Sequence, residues 1–272
     1  MKVLRIVVSI LFIVTSALFV FFYATERMNT DTSVPVITID EEILKVSINA
    51  KNKDLLKGVT AFDEKDGDLT DKIIVESVSA FIEPGYCRVT YAVCDSDNNV
   101  SSATRKLRYT DYTSPKFNMS DDLCFSLYER MNIADIITAT DCIQGDISSE
   151  IVITSEDYTS SIAGVFNIEA TVTNEKGDTA TIMLPLIIED ENISAPKIEL
   201  TDYIIYTKVN KELDFEEYIV GAADSRNNDL TDDVTYETDI DISKPGIYSV
   251  HYYAIDRNDA RGHSVLTVIV ED

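Results

Sequence analysis

The sequence predicts an all-β protein: three tandem antiparallel β-sandwiches behind one N-terminal membrane-spanning helix. Three observations predict it. A cluster of turn residues recurs with a period of about 80 residues, the mark of a repeated unit. After a glycine in each repeat, apolar residues alternate at period two, as in strands with one buried face. An uncharged apolar run of 18 residues, Ile6–Tyr23, opens the chain.

The chain has 272 residues, room for two or three domains. An apolar fraction of 45% excludes wholesale disorder. The formal net charge is −25; Lys2, Arg5 and Arg27 against Glu26 leave residues 1–30 at +2, so the remainder carries −27. Phosphate would be repelled with no basic patch to offset it, which excludes nucleic acid as a partner and favours cations.

At 1.5 Å per residue the run Ile6–Tyr23 covers roughly 27 Å, close to the hydrocarbon thickness of a bilayer. Two readings stand. An uncleaved anchor divides the segment into a cytoplasmic tip at 1–5, an anchor at 6–24 and a linker at 25–34. A cleaved signal peptide would need a small residue where Phe22 stands before Ala24. No cysteine is near to take a lipid. With Lys2 and Arg5 ahead of the span, the N-terminus is expected in the cytoplasm and the rest outside the cell.

The repeat is legible residue by residue. "DEKDGDLTD" (63–71) aligns with "DCIQGDISS" (141–149) and "DSRNNDLTD" (224–232). Further on come "YAVCDSDNN", "ATVTNEKGD" and "YYAIDRNDA", and each unit closes at Asp111, Asp190 or Asp272. The openings are "PVITI", "PKFNM" and "PKIEL", which sets the units at 35–111, 115–190 and 196–272. The short connections, with Pro115 and Pro196, are expected to limit bending.

After Gly85, Gly164 and Gly246 the inward sets are Cys87, Val89, Tyr91, Val93; Phe166, Ile168, Ala170, Val172; and Tyr248, Val250, Tyr252, Ala254. The closing strands place inward Ala103, Arg105, Leu107, Tyr109; Ile182, Leu184, Leu186, Ile188; and Ser264, Leu266, Val268, Val270. Pro185 has no N–H, so its strand is expected at a sheet edge. Turn signals every 8–12 residues fit two antiparallel sheets packed face to face.

"VTAFDEKDGDLT" with "PGYCRVTYAVCD", and "VGAADSRNNDLT" with "PGIYSVHYYAID", resemble the bacterial immunoglobulin-like repeat. The resemblance covers all three units. It implies Ig-like sandwiches of the kind found in surface proteins and at the tails of insecticidal crystal proteins, similar to hyalin-type repeats. It also implies stalk, adhesive or accessory roles rather than one function. Tyr248 stands where a tyrosine corner would open strand F. Val89, Ile168 and Val250 hold the usual inter-sheet cysteine position, and Cys87 replaces the corner tyrosine in the first unit.

The acidic segment 63–71 has two readings. Taking Gly67 as the sixth residue of an EF-hand makes Phe62 the first ligand, which excludes that loop. Across the units what persists is Asp63/Asp141/Asp224, Asp68/Asp146/Asp229 and Thr70/Ser148/Thr231, with Gly67 and Gly145 matched by Asn228. Glycine and asparagine tolerate positive φ, and aspartate and threonine bond nearby backbone N–H groups, so a turn explains the set. Calcium is the alternative, chiefly in the first unit, where Asp63, Asp66, Asp68, Asp95 and Asp97 could converge. The segment "DENISAP" (190–196) also resembles the calcium-binding linker of cadherins, with Ile193 in place of the second aspartate.

Other candidates are fewer. Cys87 and Cys94 lie seven residues apart on one strand, roughly 23 Å and beyond bonding range. Cys124 and Cys142 could meet within the second unit; free thiols are the other reading. His251 alternates with inward Val250 and Tyr252, so it points outward, and neither it nor His263 has a nameable nucleophile beside it. The chain is therefore expected not to be an enzyme and to need no cofactor. A sugar platform would have to come from Tyr203, Tyr206, Tyr218 and Tyr236, since tryptophan is absent. The expectation is a membrane-anchored surface protein whose sandwiches meet a protein or cell-envelope partner, with calcium or carbohydrate binding, or passive spacing, as alternatives. With the last strand closing at Asp272, the sandwiches themselves are expected to be the working part.

Overall fold

The computed structural model describes residues 2–29, 33–155, 159–190 and 195–272. Helix α1 (Lys2–Asn29) contains a stretch, Arg5–Thr25, long and apolar enough to cross a membrane and with none of its surface buried by protein. It continues past Ala24 into the segment expected as linker, because no glycine or proline interrupts the chain before Pro35.

The chain divides into two compact units, residues 1–82 with 86–111 and residues 83–85 with 112–272. In the first unit, β1 (Val36–Ile39), β2 (Ile43–Val46), the single-turn helix α2 (Asn52–Leu55), β3 (Val59–Asp63), β4 (Gly67–Asp68), β5 (Ile74–Val78), β6 (Tyr86–Cys94) and β7 (Val100–Tyr109) follow one another. They make a sheet ordered β1-β3-β4 and another ordered β2-β7-β6-β5. The second unit repeats that plan twice. Its first pass is β8 (Lys116–Met119), β9 (Cys124–Ser126), α3 (Ile133–Ile136), β10 (Ile137–Asp141), β11 (Gly145–Asp146), β12 (Val152–Ser155), β13 (Gly164–Thr173) and β14 (Thr179–Glu189). The second pass is β15 (Lys197–Leu200), β16 (Ile204–Lys208), β17 (Ile219–Ala223), β18 (Thr235–Thr238), β19 (Gly246–Ile255) and β20 (Arg261–Glu271). The orders β11-β10-β8 with β12-β13-β14-β9, and β15-β17 with β16-β20-β19-β18, match the first unit.

Each pair of sheets is an Ig-like sandwich, as the sequence predicts, with one correction. The larger sheets are not wholly antiparallel: β2 runs parallel to β7, β9 to β14 and β16 to β20. The opening strand of each repeat is split by a short break, at 40–42, 120–123 and 201–203, and its second half crosses to the other sheet. It therefore meets the closing strand head to head with the same direction.

The alternating residues fill the interiors. Cys87, Val89 and Tyr91, like Leu184, Leu186, Val250, Leu266 and Val268, have no exposed surface. Burying a side chain of this size contributes about 1.5–3 kcal/mol. In the second unit the apolar residues of both sheet pairs form one continuous cluster. Tyr206 helps join them: its hydroxyl accepts the Phe117 N–H at 2.8 Å, and the Lys116 ammonium lies 4.2 Å from its ring centre.

The expectation for Pro185 is corrected. Its strand, β14, is interior, flanked by β13 and β9. The proline is tolerated because bonding to β9 begins only at Ile187, whose N–H reaches the Leu123 carbonyl at 2.9 Å. Two residues earlier, on the same side, there is no β9 residue to receive an N–H.

Candidate functional site

The acidic corner is built first by β3 and β4. Asp63 Oδ1 accepts the N–H groups of Lys65 and Asp66, both at 2.9 Å, which closes the turn. Gly67 then takes φ +75°, a left-handed conformation that side chains resist. Asp68 accepts the Thr70 N–H at 2.9 Å, and Thr70 Oγ1 accepts the Ala61 N–H at 3.2 Å. Leu69 is thereby driven into the core, at 2% exposure. The second repeat copies this with Asp141 on Ile143 and Gln144, Gly145 at φ +81°, and Asp146 on Ser148.

The third repeat departs. The left-handed residue is Asn227, at φ +61°, rather than Asn228, which the alignment places opposite Gly67. Without glycine the turn shifts by one: Asp224 Oδ1 accepts from Arg226 and Asn228, and strand pairing shrinks to a single Ala223–Asp229 bridge.

That shifted loop has three relatives. Between β6 and β7, between β13 and β14, and between β19 and β20, residues Asp95, Asn174 and Asp256 each accept the N–H groups two and four residues on. Each also donates its own N–H back to the fourth residue's carbonyl. Sequence reasoning took the first of these loops for metal donors and missed its role as a closure. The spacing of Asp or Asn five residues before the returning strand was the available signal.

The first of these loops folds over the acidic corner. Ligand oxygens of Asp63, Asp66 and Asp95 lie within 4.8 Å of one another. Of the five predicted donors, the other two point elsewhere: Asp68 serves Thr70, and Asp97 pairs with Lys65. The three that converge already hold protein donors. Asp66 accepts the Ser96 N–H at 2.7 Å and its hydroxyl at 2.9 Å, and these bonds hold its carboxyl below the usual range. Asp95 takes the Asn99 amide at 2.7 Å, and Asp63 the Ser33 hydroxyl at 3.2 Å.

The remaining predicted sites disperse. Tyr203 is buried, and Tyr206 packs against Phe117. Tyr236 sets its edge against Phe215, beside Tyr252, and Tyr218 lies half-buried against the same core. None of the four cysteines is in a disulfide, so Cys124 and Cys142 are not joined; Cys142 instead donates to the Thr113 carbonyl at 3.2 Å. Tyr248 does turn a corner, its hydroxyl donating to the Lys244 carbonyl at 3.2 Å. In the "DENISAP" segment, residues 191–194 lie outside the described residues.

Fold and corner geometry together define an immunoglobulin-like β-sandwich protein with aspartate-closed loops. Residues 206–270 match the family described as "Bacterial surface protein, Ig-like domain". The chain is 27% identical over 276 residues to pesticidal crystal protein Cry22Aa of Bacillus thuringiensis, covering 93% of this chain and 37% of that one. It is 26% identical over 193 residues to an uncharacterized 81.3 kDa protein of Acholeplasma phage L2, covering 64% and 25%. The chain thus spans 37% or less of the length of these curated relatives. Solved structures with similar folds include the M60 catalytic domain with CBM51 domains of Clostridium perfringens ZmpB (TM-score 0.26, 15% identity, 89% of this chain and 31% of that one). Drosophila N-cadherin EC1-4 is another (TM-score 0.25, 13% identity, 89% and 76%). At such TM-scores the superpositions transfer no binding property.

Proposed function

We propose that the chain is a single-pass membrane protein with a cytoplasmic N-terminus, displaying Ig-like modules at 35–111, 115–190 and 196–272 outside the cell. The modules act without catalysis, by contact with a protein or cell-envelope partner. The observation that carries this reading is the bacterial surface Ig-like domain at 206–270. The apolar stretch Arg5–Thr25 supports an anchor. The two histidines, the usual general bases, bond each other and Glu189 instead of a nucleophile, which supports a non-catalytic role. The test uses the full chain in cells. It should stay with the membrane after an alkaline wash and lose its sandwiches to protease added outside. Photo-crosslinking should then trap an envelope component. Release of a shortened soluble chain would sink the anchor, and an absence of crosslinked species would leave only a spacer.

A second reading is favoured by the convergence of Asp63, Asp66 and Asp95. Their oxygens suit a hard cation such as calcium, which would offset three like charges at one corner. Calorimetric titration of the full chain with calcium should give heat and a higher Tm; neither appearing removes this reading.

A further inference from the structure

The chain's only two histidines meet on the outer face of β19 and β20. Tyr253 is paired with His263 and His251 with Val265, so the imidazoles are diagonal neighbours. His251 Nδ1 lies 2.9 Å from His263 Nε2, and His263 Nδ1 lies 3.0 Å from Glu189 Oε1. Glu189 ends β14, in the other sheet pair of this unit. The His263 side chain is only 4% exposed. The Tyr253 ring stacks on it at 4.7 Å, and the Arg261 guanidinium lies 3.8 Å from the centre of the Tyr253 ring.

The hydrogen bonds dictate where protons sit. With Glu189 ionised, His263 Nδ1 carries its proton and donates. When both rings are neutral, His263 Nε2 is bare and His251 Nδ1 donates to it. One added proton occupies His263 Nε2, which now donates to His251 once that ring carries its own proton on Nε2. Both bonds survive, and the charge rests beside Glu189. A second proton sets N–H against N–H at 2.9 Å with no acceptor between them, so that link must break. We propose that Glu189, His263 and His251 form a two-step proton switch on the junction between β14 and the β19–β20 face: the first proton leaves the chain of bonds intact, and the second parts it.

The surroundings set the direction. Burial pushes both imidazoles below their ordinary value. Glu189, Asp239 and Glu237 face His251 and oppose that shift. For His263, Glu189 opposes it while His251 and Arg261 reinforce it. A cavity of about 650 Å³ beside His251 is lined by Glu237 and Asp239. Another, of about 660 Å³ beside His263, is lined by Asp121, Asp122, Cys124, Glu129 and Lys197. Lowered histidine values give stability that is complete above the unfolded value of about 6.5 and is lost as pH falls through the folded ones. Asp122 works oppositely. Burial pushes it up to about 6, so protonation below that value relieves a buried charge and tightens the junction.

The bond that parts lies within the β19–β20 hairpin, while Glu189 still holds His263 across a packed seam. Ile187 and Val265 occupy outward positions on their strands yet are buried. Pressure from two cationic rings acts on that seam.

The test is nitrogen and ring-carbon NMR of histidine-labelled full chain in nanodiscs, in wild type and in an Asp122→Asn background that removes the opposing titration. Two proton-binding steps should differ by at least about tenfold in affinity. Wild-type tautomer shifts above the first step should show Nδ1–H on both rings. His251→Gln should leave one step, and Glu189→Gln should lower the first. Amide exchange at Ile187 and Thr267 should rise severalfold only past the second step, and stay flat in His251→Gln. Independent single-site curves, each unaffected by loss of the other ring, would overturn the switch. So would exchange indifferent to pH through both steps.

Discussion

The first and second repeats solve one corner in two ways. In the first, Asp63, Asp66 and Asp95 bring three carboxylates within 4.8 Å. In the second, the matching positions are Asp141, Gln144 and Asn174, and the Asn174 amide donates to Asp141 at 3.0 Å. Gln144 Oε1 accepts the Glu175 N–H where Asp66 accepts that of Ser96. The amide also reaches Tyr112, whose hydroxyl donates to Asp178. The first repeat inverts the polarity: Asp95 accepts from Asn99, four residues on, where Asn174 is followed by Asp178. The backbone closure is common to both, while the charge across it is not. One corner answers its aspartate with an amide; the other sets three carboxylates together.

The comparison can be broken most forcefully at the shared element. Asp63→Ala and Asp141→Ala each strand two backbone N–H groups and should cost about 3 kcal/mol, read by urea unfolding of the unit concerned. A loss below 1 kcal/mol in both would refute the closure role. Asn174→Asp should cost about 2 kcal/mol, since it removes the bond to Asp141 and places like charges together. Asp95→Asn alone should cost about 1 kcal/mol because two amides then face each other. Adding Asn99→Asp should restore stability and erase any calcium heat at unchanged net charge. Calcium heat that survives the double exchange would place the cation elsewhere.

Smaller effects sharpen the third repeat's difference. Gly67→Ala and Gly145→Ala should each cost about 1 kcal/mol, because both sit at positive φ. Asn228→Ala should cost less, since the left-handed residue there is Asn227. The least effect is expected from acid. Asp66, held low chiefly by the Ser96 N–H, contributes stability above about pH 3.8 that fades as pH falls through its lower folded value. Gln144 does not titrate, so amide exchange near Ser96 should accelerate below pH 4 while that near Glu175 does not.

Much of this was legible because it is local. A turn needs its aspartate, its glycine and its threonine within a few residues, so the three acidic segments declared themselves. Alternation exposed the inward faces for the same reason. The corner's third member was half-legible: Asp95 was a candidate, but whether it met Asp63 depended on two loops more than 30 residues apart. The histidine pair was recoverable only with the hairpin register, which sets His251 diagonal to His263. The tyrosines were legible as residues but not by exposure: Tyr203 is buried while Tyr236 keeps 40% of its surface exposed.

Period-two patterning and turn chemistry by themselves determined the sandwich class, the inward face of the long strands and the aspartate-closed turns, since these depend on each residue's near neighbours and on one buried face per strand. Only the tertiary structure decided which strands run parallel at the edges, why Pro185 is harmless inside a sheet, and that outward-facing Ile187, Val265 and His263 are buried. The first two rest on a half-strand that crosses over within its own repeat and the last on what a second sheet pair brings against β14, and no local pattern encodes a neighbour that arrives from about 60 residues away or more.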